Sequence, residues 1–184
     1  MVFQRRTILL GQELNLIQYL QSMSVNNSED VFLIDNHNLL ELLILRLSVG
    51  SCLAFRAKGS SMWPLLKDGD KITISSVKTR KLLIGDVVAF RENEQGRLII
   101  HRLVGRKDGL AIIKGDNHIR PDGLFPVENI IGIISNVKRN GKDVSFGFGP
   151  ERFLVALLSR MGLLRLLFHS TRLFTSLIFK IFKL

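Results

Sequence analysis

Three short segments hold residues whose types could do covalent chemistry. Gly59-Ser60-Ser61-Met62-Trp63-Pro64 presents two hydroxyls in a glycine-led turn, and His101-Arg102-Leu103-Val104 presents an imidazole in an apolar run. Lys114-Gly115-Asp116-Asn117-His118 presents a carboxylate, and Asp122 follows six residues after Asp116. A serine hydroxyl is a poor nucleophile at neutral pH and needs an adjacent base. An imidazole, titrating near about pH 6.5, can be that base, and the imidazolium it becomes needs a group to orient and stabilise it. Serine, histidine and carboxylate together therefore suit nucleophilic hydrolysis. Each alone has a plainer reading: a serine in a glycine-rich turn is structural, a strand histidine is a satisfied core or surface residue, and Gly-Asp-Asn or Pro-Asp-Gly favours a turn for its own sake.

In order and spacing, the segments resemble the signal peptidase I-like serine peptidases of the S24/S26 type, in the serine/histidine branch to which the archaeal and endoplasmic-reticulum signal peptidases belong. The pattern there is G-x-S-M-x-P, a G-D turn before a strand, H-R-V, and K-G-D-N with a further aspartate. Gly85-Asp86-Val87-Val88 supplies the G-D turn, and the resemblance spans roughly residues 54–135. It implies a mainly β fold and a serine endopeptidase that cleaves a precursor or leader peptide. It implies Ser61 as nucleophile and His101, where the lysine branch has its lysine, as general base. Asp122 is the preferred orienting carboxylate, and Asp116 shares that role or holds the loop. Gly59, Ser60, Met62 and Pro64 are the implied substrate-binding residues. Gly59 admits a close substrate strand, Met62 lines the pocket, and Pro64 fixes the turn. The backbone N–H of Ser61 is the first oxyanion donor. Many members have a serine two positions before the nucleophile as second donor; this chain has Gly59, which leaves that donor unassigned.

Two alternatives stand beside the peptidase. One is an inactive, peptide-binding relative. The other is a self-cleaving repressor-type regulator, against which stands a slightly acidic N-terminal stretch with no clear helix-turn-helix.

The elements that must position these residues follow from pattern. Asn36 can cap a helix from about His37 to Ser48, with Leu39, Leu40, Leu43 and Leu47 as its apolar stripe and Gly50 after it. A weaker helical pattern covers residues 8–23. Between residues 51 and 148 the period shortens, and strands are expected in a run from Cys52 ending at Gly59 and at 71–75, 87–90, 98–104, 110–114, 130–137 and 144–148, with Asp108-Gly109 and Asn140-Gly141 as hairpin turns. Pro150 suits a helix start. Beyond Gly162, Arg165, His169, Arg172, Ser176, Lys180 and Lys183 recur at steps of three and four, as one polar stripe on an otherwise apolar helix. The expected organisation is an N-terminal helical extension at 1–49, a β-rich peptidase domain at 50–149 and basic amphipathic helices at 150–184.

Charge fixes the expected partners. Of 184 residues, 26 are Lys or Arg and 16 are Asp or Glu, a net +10. Residues 150–184 hold six bases against one acid and are also the most apolar stretch. A nucleic-acid arm is basic and polar, so a membrane surface is expected here and nucleic acid is not. Residues 39–47 include Glu41 and Arg46 and are too short and too charged to span a bilayer. No secretory signal peptide is evident near Met1. The one cysteine, Cys52, excludes an internal disulfide. No pair of His or Cys has ligand spacing, so neither a metal nor another cofactor is expected. His37 and His118 read as surface histidines.

Overall fold

The computed structural model describes residues 36–92 and 97–168, all within one compact unit, Leu33–Leu184. The expected helix at 8–23 and the polar stripe beyond Arg165 lie outside them.

Helix α1 (Asn36–Ser48) opens the described chain. Its leucine stripe buries Leu40, Leu43 and Leu47 in the same cluster as Ile72, Ile74, Val87 and Ala89 of the sheet. An eight-stranded antiparallel sheet follows. Its strands are β1 (Leu53–Arg56), β2 (Lys71–Ser76), β3 (Val87–Arg91), β4 (Leu98–Lys107), β5 (Leu110–Lys114), β6 (Gly123–Phe125), β7 (Ile130–Arg139) and β8 (Lys142–Asp143). They lie in the order β1-β2-β7-β3-β4-β5-β6, with β8 paired to β7. The mainly β class expected from the sequence is the class observed.

Two short strands, β6 and β8, go beyond the expectation, and one expected strand does not form. β6 comes directly after Asp122, and at three residues it is too short to show alternation. The run 144–148 is not a strand: Val144 adds one more ladder bond, its N–H to the Val137 carbonyl at 2.8 Å, and the chain then turns. Gly147 takes a left-handed φ of 89° there. Asp108 and Asn140, with φ near 50°, and the glycines after them make the two expected hairpin turns.

β4 carries the site because it lies inside the sheet. Val88 faces His101, and Val87 faces Arg102 on the other side of the pleat. One face joins Val88, Phe90, Leu103 and Ile113; the opposite face joins Val87 and Ala89 to the α1 leucines. Neighbouring residues of β4 therefore look into different environments.

Helix α2 (Arg152–Arg160) has Val155, Ala156 and Ser159 buried, and after a turn at 161–162 residues 163–168 are again helical. Val155 and, beyond the helix, Leu164 pack with Leu65. The Gly85-Asp86 turn receives its N-terminal end. Asp86, almost fully buried, accepts from Arg80 at 2.8 and 2.9 Å and meets Arg152 Nε at 3.1 Å. Gly85 has φ +97°, and a Cβ there would stand 2.6 Å from the Arg152 carbonyl oxygen. Gly69, with φ +82°, has open space around it. Gly69→Ala should cost about 1–2 kcal/mol of left-handed strain, and Gly85→Ala distinctly more. Thermal denaturation of the two variants reads the difference, and equal melting temperatures would mean that α2 does not dock as described. Among the described residues no helix is long and apolar enough to cross a membrane.

Candidate active site

The chain leaves β1, takes a left-handed φ of 101° at Gly59 and enters a turn at Ser61. The Gly59 N–H donates to Asp68 Oδ1 at 2.7 Å, and open space surrounds the glycine. The turn is held from beneath: Met62 is buried in the main cluster, and the Leu66 N–H donates to the Met62 carbonyl at 3.0 Å. Pro64 follows Trp63 through a cis peptide. Ser60 is exposed and Ser61 half-buried, so the two hydroxyl positions sit where the chain surfaces.

The loop 115–122, which joins β5 to β6, comes against this turn. The Asn117 N–H donates to the Ser61 carbonyl at 2.8 Å, and Asn117 Nδ2 donates to the Ser60 carbonyl at 3.2 Å. Such proximity needs a glycine at 115, where a Cβ would lie 2.8 Å from the Ser61 oxygen. The loop closes where the Asp122 N–H donates to the Ile113 carbonyl at 2.9 Å, next to the Ile113–Gly123 pair of the β5–β6 ladder. The short strand that pattern missed thus fixes Asp122.

Asp122 and His101 come together. His101 is buried, and its Nδ1 lies 2.5 Å from Asp122 Oδ2. An ionised carboxylate only accepts, so Nδ1–H donates and Nε2 of the neutral ring is left with its lone pair. Burial pushes the Asp122 carboxyl up. The hydrogen bond and charge of His101, and then those of His118, act against burial and prevail, so its pKa lies below the ordinary carboxylate value. The Ser61 hydroxyl makes no hydrogen bond among the described residues.

Asp116 is not brought to His101. Fully buried, it accepts from Arg102 Nε at 2.9 Å and Nη2 at 2.8 Å. Arg102, also fully buried, uses Nη1 to donate to the carbonyls of Gly85 at 2.7 Å and Gly147 at 2.8 Å, and its guanidinium lies over the Phe148 ring. Strand alternation separates the two carboxylates: adjacent residues of β4 point to opposite faces, and each face receives its own aspartate.

Three residues here carry more than their sequence reading. Arg102 pins three loops through Gly85, Gly147 and Asp116. Lys114, its partner in the β4–β5 register, is fully buried and donates through Nζ to the Ser159 carbonyl. Burial holds the Lys114 ammonium below its usual pKa, against the charges of Asp116 and Asp122. His118, read as a surface residue, places its Nδ1 2.9 Å from Asp122 Oδ1 and its ring edge-on to His101 at 4.9 Å between centroids. Its place four residues before Asp122 was the available signal, but in a non-helical loop that spacing does not imply contact.

The Peptidase S24-like family model matches residues 22–136, more than half of the chain. No curated protein and no solved structure matches it.

Proposed function

We propose that this chain, which belongs to the Peptidase S24-like family, is a serine endopeptidase of the signal-peptidase type that uses a serine/histidine pair. The observation that carries this reading is the 2.5 Å contact of His101 Nδ1 with Asp122, at a loop that also binds the Ser61 backbone. With Nδ1–H given to Asp122, His101 Nε2 takes the Ser61 proton as Oγ attacks the scissile carbonyl. The resulting oxyanion is met by the Ser61 N–H. The imidazolium, held by Asp122, then protonates the leaving amine, and water attacks the acyl-enzyme with His101 again as base. The Ser61–His101 hydrogen bond forms once substrate is in place, as such contacts commonly tighten only in the bound complex.

The substrate is a precursor or leader peptide in extended form. Among the described residues β1 ends the strand order, pairs only with β2, and leads within a few residues to Ser61. An added strand along that open edge would carry its carbonyl to the nucleophile. A fluorophosphonate probe tests the reading without knowledge of the substrate. Labelling is expected on Ser61, with loss in both Ser61→Ala and His101→Ala. An unlabelled but folded native protein would favour an inactive peptide-binding relative.

We also propose that the C-terminal region rests on an anionic membrane. What supports this is the outer face of α2, where Phe153, Leu154 and Leu157 are exposed, with Met161, Leu166 and Leu167 exposed after it. Arg152, Arg160 and Arg165 flank these apolar residues, as expected beside anionic headgroups. Deleting residues 150–184 is a poor test, because Val155, Ser159 and Leu164 belong to the folded unit. Exposed residues can be changed instead. Each of Phe153→Ser and Leu157→Ser should weaken co-sedimentation with phosphatidylglycerol-containing vesicles about tenfold, the effect of withdrawing one large apolar side chain from lipid. Unchanged sedimentation in the double variant would remove the proposal.

A further inference from the structure

Asp122 has two carboxylate oxygens, and each meets a different imidazole. Oδ2 is 2.5 Å from His101 Nδ1 and Oδ1 is 2.9 Å from His118 Nδ1. One donor atom from each of the three residues lies within 4.8 Å of the others. The peptidase chemistry needs only the first contact; a second imidazole on the same carboxylate has no part in it. In sequence the two histidines are far apart, which is why their spacing gave no hint of a shared ligand.

We infer that His101, His118 and Asp122 form a binding site for a divalent transition ion of the zinc type, and that the bound ion switches off the base. The inference rests on the reading of His101 as general base. Two imidazoles and one carboxylate suit zinc, whereas magnesium and calcium favour all-oxygen sets. Zinc bonds to such ligands are about 2.0–2.2 Å, which places tetrahedral donor atoms about 3.3 Å apart. The two contacts, each to its own carboxylate oxygen, must open by less than an ångström, and the widest of the three donor separations, no more than 4.8 Å, must close by up to about 1.5 Å. His118 can move to allow this, since its side chain is 42% exposed, and water would complete a tetrahedral set. Nearby charges temper the affinity. The Lys114 ammonium acts on Asp122 and opposes a dication, with Arg165 adding to the positive side, while Arg102 is neutralised by Asp116.

The inhibition follows from proton placement. Without metal, the neutral His101 ring carries its proton on Nδ1 and its lone pair on Nε2. When the ion takes the Nδ1 lone pair, the ring's one proton must sit on Nε2. No proton is lost overall; solvent carries it from one nitrogen to the other. Nε2 is then a donor and cannot accept the Ser61 proton.

The test uses the full chain freed of metal by chelator. Calorimetry with Zn²⁺ alone should show one ion per chain, and Co²⁺ should give the visible bands of a nitrogen- and oxygen-ligated site. In His118→Asn the Zn²⁺ affinity should fall more than about tenfold, since even outer-shell changes cost that much. Zn²⁺ should block fluorophosphonate labelling of Ser61 in the native chain, and the block in His118→Asn should need more than about tenfold higher zinc. No Zn²⁺ binding, or equal binding and equal blocking in the variant, would overturn the proposal. A native chain left unlabelled without metal would instead count against the peptidase reading, and calorimetry would still decide the metal site.

Discussion

Asp122→Asn should slow acylation of Ser61 by about 10⁴-fold, the loss seen when a triad carboxylate is replaced by its amide, while the protein stays folded. The amide keeps the shape of the carboxylate but brings an N–H₂ group that can donate. If it donates to His101 Nδ1, the ring proton must move to Nε2, and the base is lost to the wrong tautomer. The carboxyl's low pKa defines the pH range of the effect. Burial raises it, but the bonds and charges of His101 and His118 lower it further. Because the folded value is below the unfolded one, the stability Asp122 supplies is present above the ordinary carboxylate pKa and is lost as pH falls through the folded value. Asp122 therefore stays charged above about pH 5, and at neutral pH the variant loses a full carboxylate charge. Single-turnover labelling of Ser61 at neutral pH measures the loss. A loss under tenfold would mean that the carboxylate does not set the tautomer.

Much of this site is legible in the sequence because the motif residues lie where local pattern changes. Ser61 follows a glycine that adopts positive φ, and His101 lies in a strand whose apolar run is plain. What pattern could not assign is which aspartate serves which partner. That depends on the pleat of β4, where His101 and Arg102 are adjacent and so face apart. It depends also on the loop 115–122, whose end is fixed by a three-residue strand too short to announce itself. The opposite error at 144–148 has the same origin. Val144, Phe146 and Phe148 alternate as a strand would, but Phe146 is exposed, and Gly147 turns the chain so that its carbonyl reaches Arg102.

Lys114 and His118 show a second limit. Lys114 ends the run Leu-Ala-Ile-Ile, and the strand pattern does not say where its ammonium goes. It is fully buried because the Ser159 carbonyl, 45 residues later, accepts its proton. His118 reads as a lone surface residue, yet it contacts both His101 and Asp122. The sequence could not show these contacts, because each partner is distant in sequence or lies in a loop without regular period.

The Arg102–Asp116 pair supplies the largest expected effect on stability. Asp116→Ala should destabilise the domain by about 3–5 kcal/mol, because removing one partner leaves the other charge buried and uncompensated. Arg102 has no exposure through which water could take over, and Lys114, its register partner, adds a second buried cation. The Gly85 and Gly147 carbonyls remain as acceptors but cannot neutralise the charge. For a domain of this size the melting temperature should fall by roughly 10 °C. Adding Arg102→Met to Asp116→Ala should recover a large part of the loss, since replacing both members of a buried pair by apolar groups is far milder than breaking it. Thermal or urea unfolding of the two single variants and the double measures that coupling. Labelling of Ser61 well below the melting temperature separates this role from that of Asp122. Asp116→Asn should remain labelled far faster than Asp122→Asn, because Asp116 holds the loops through Arg102 and does not touch His101. Equal labelling losses with unchanged stability would instead put Asp116 in the chemistry.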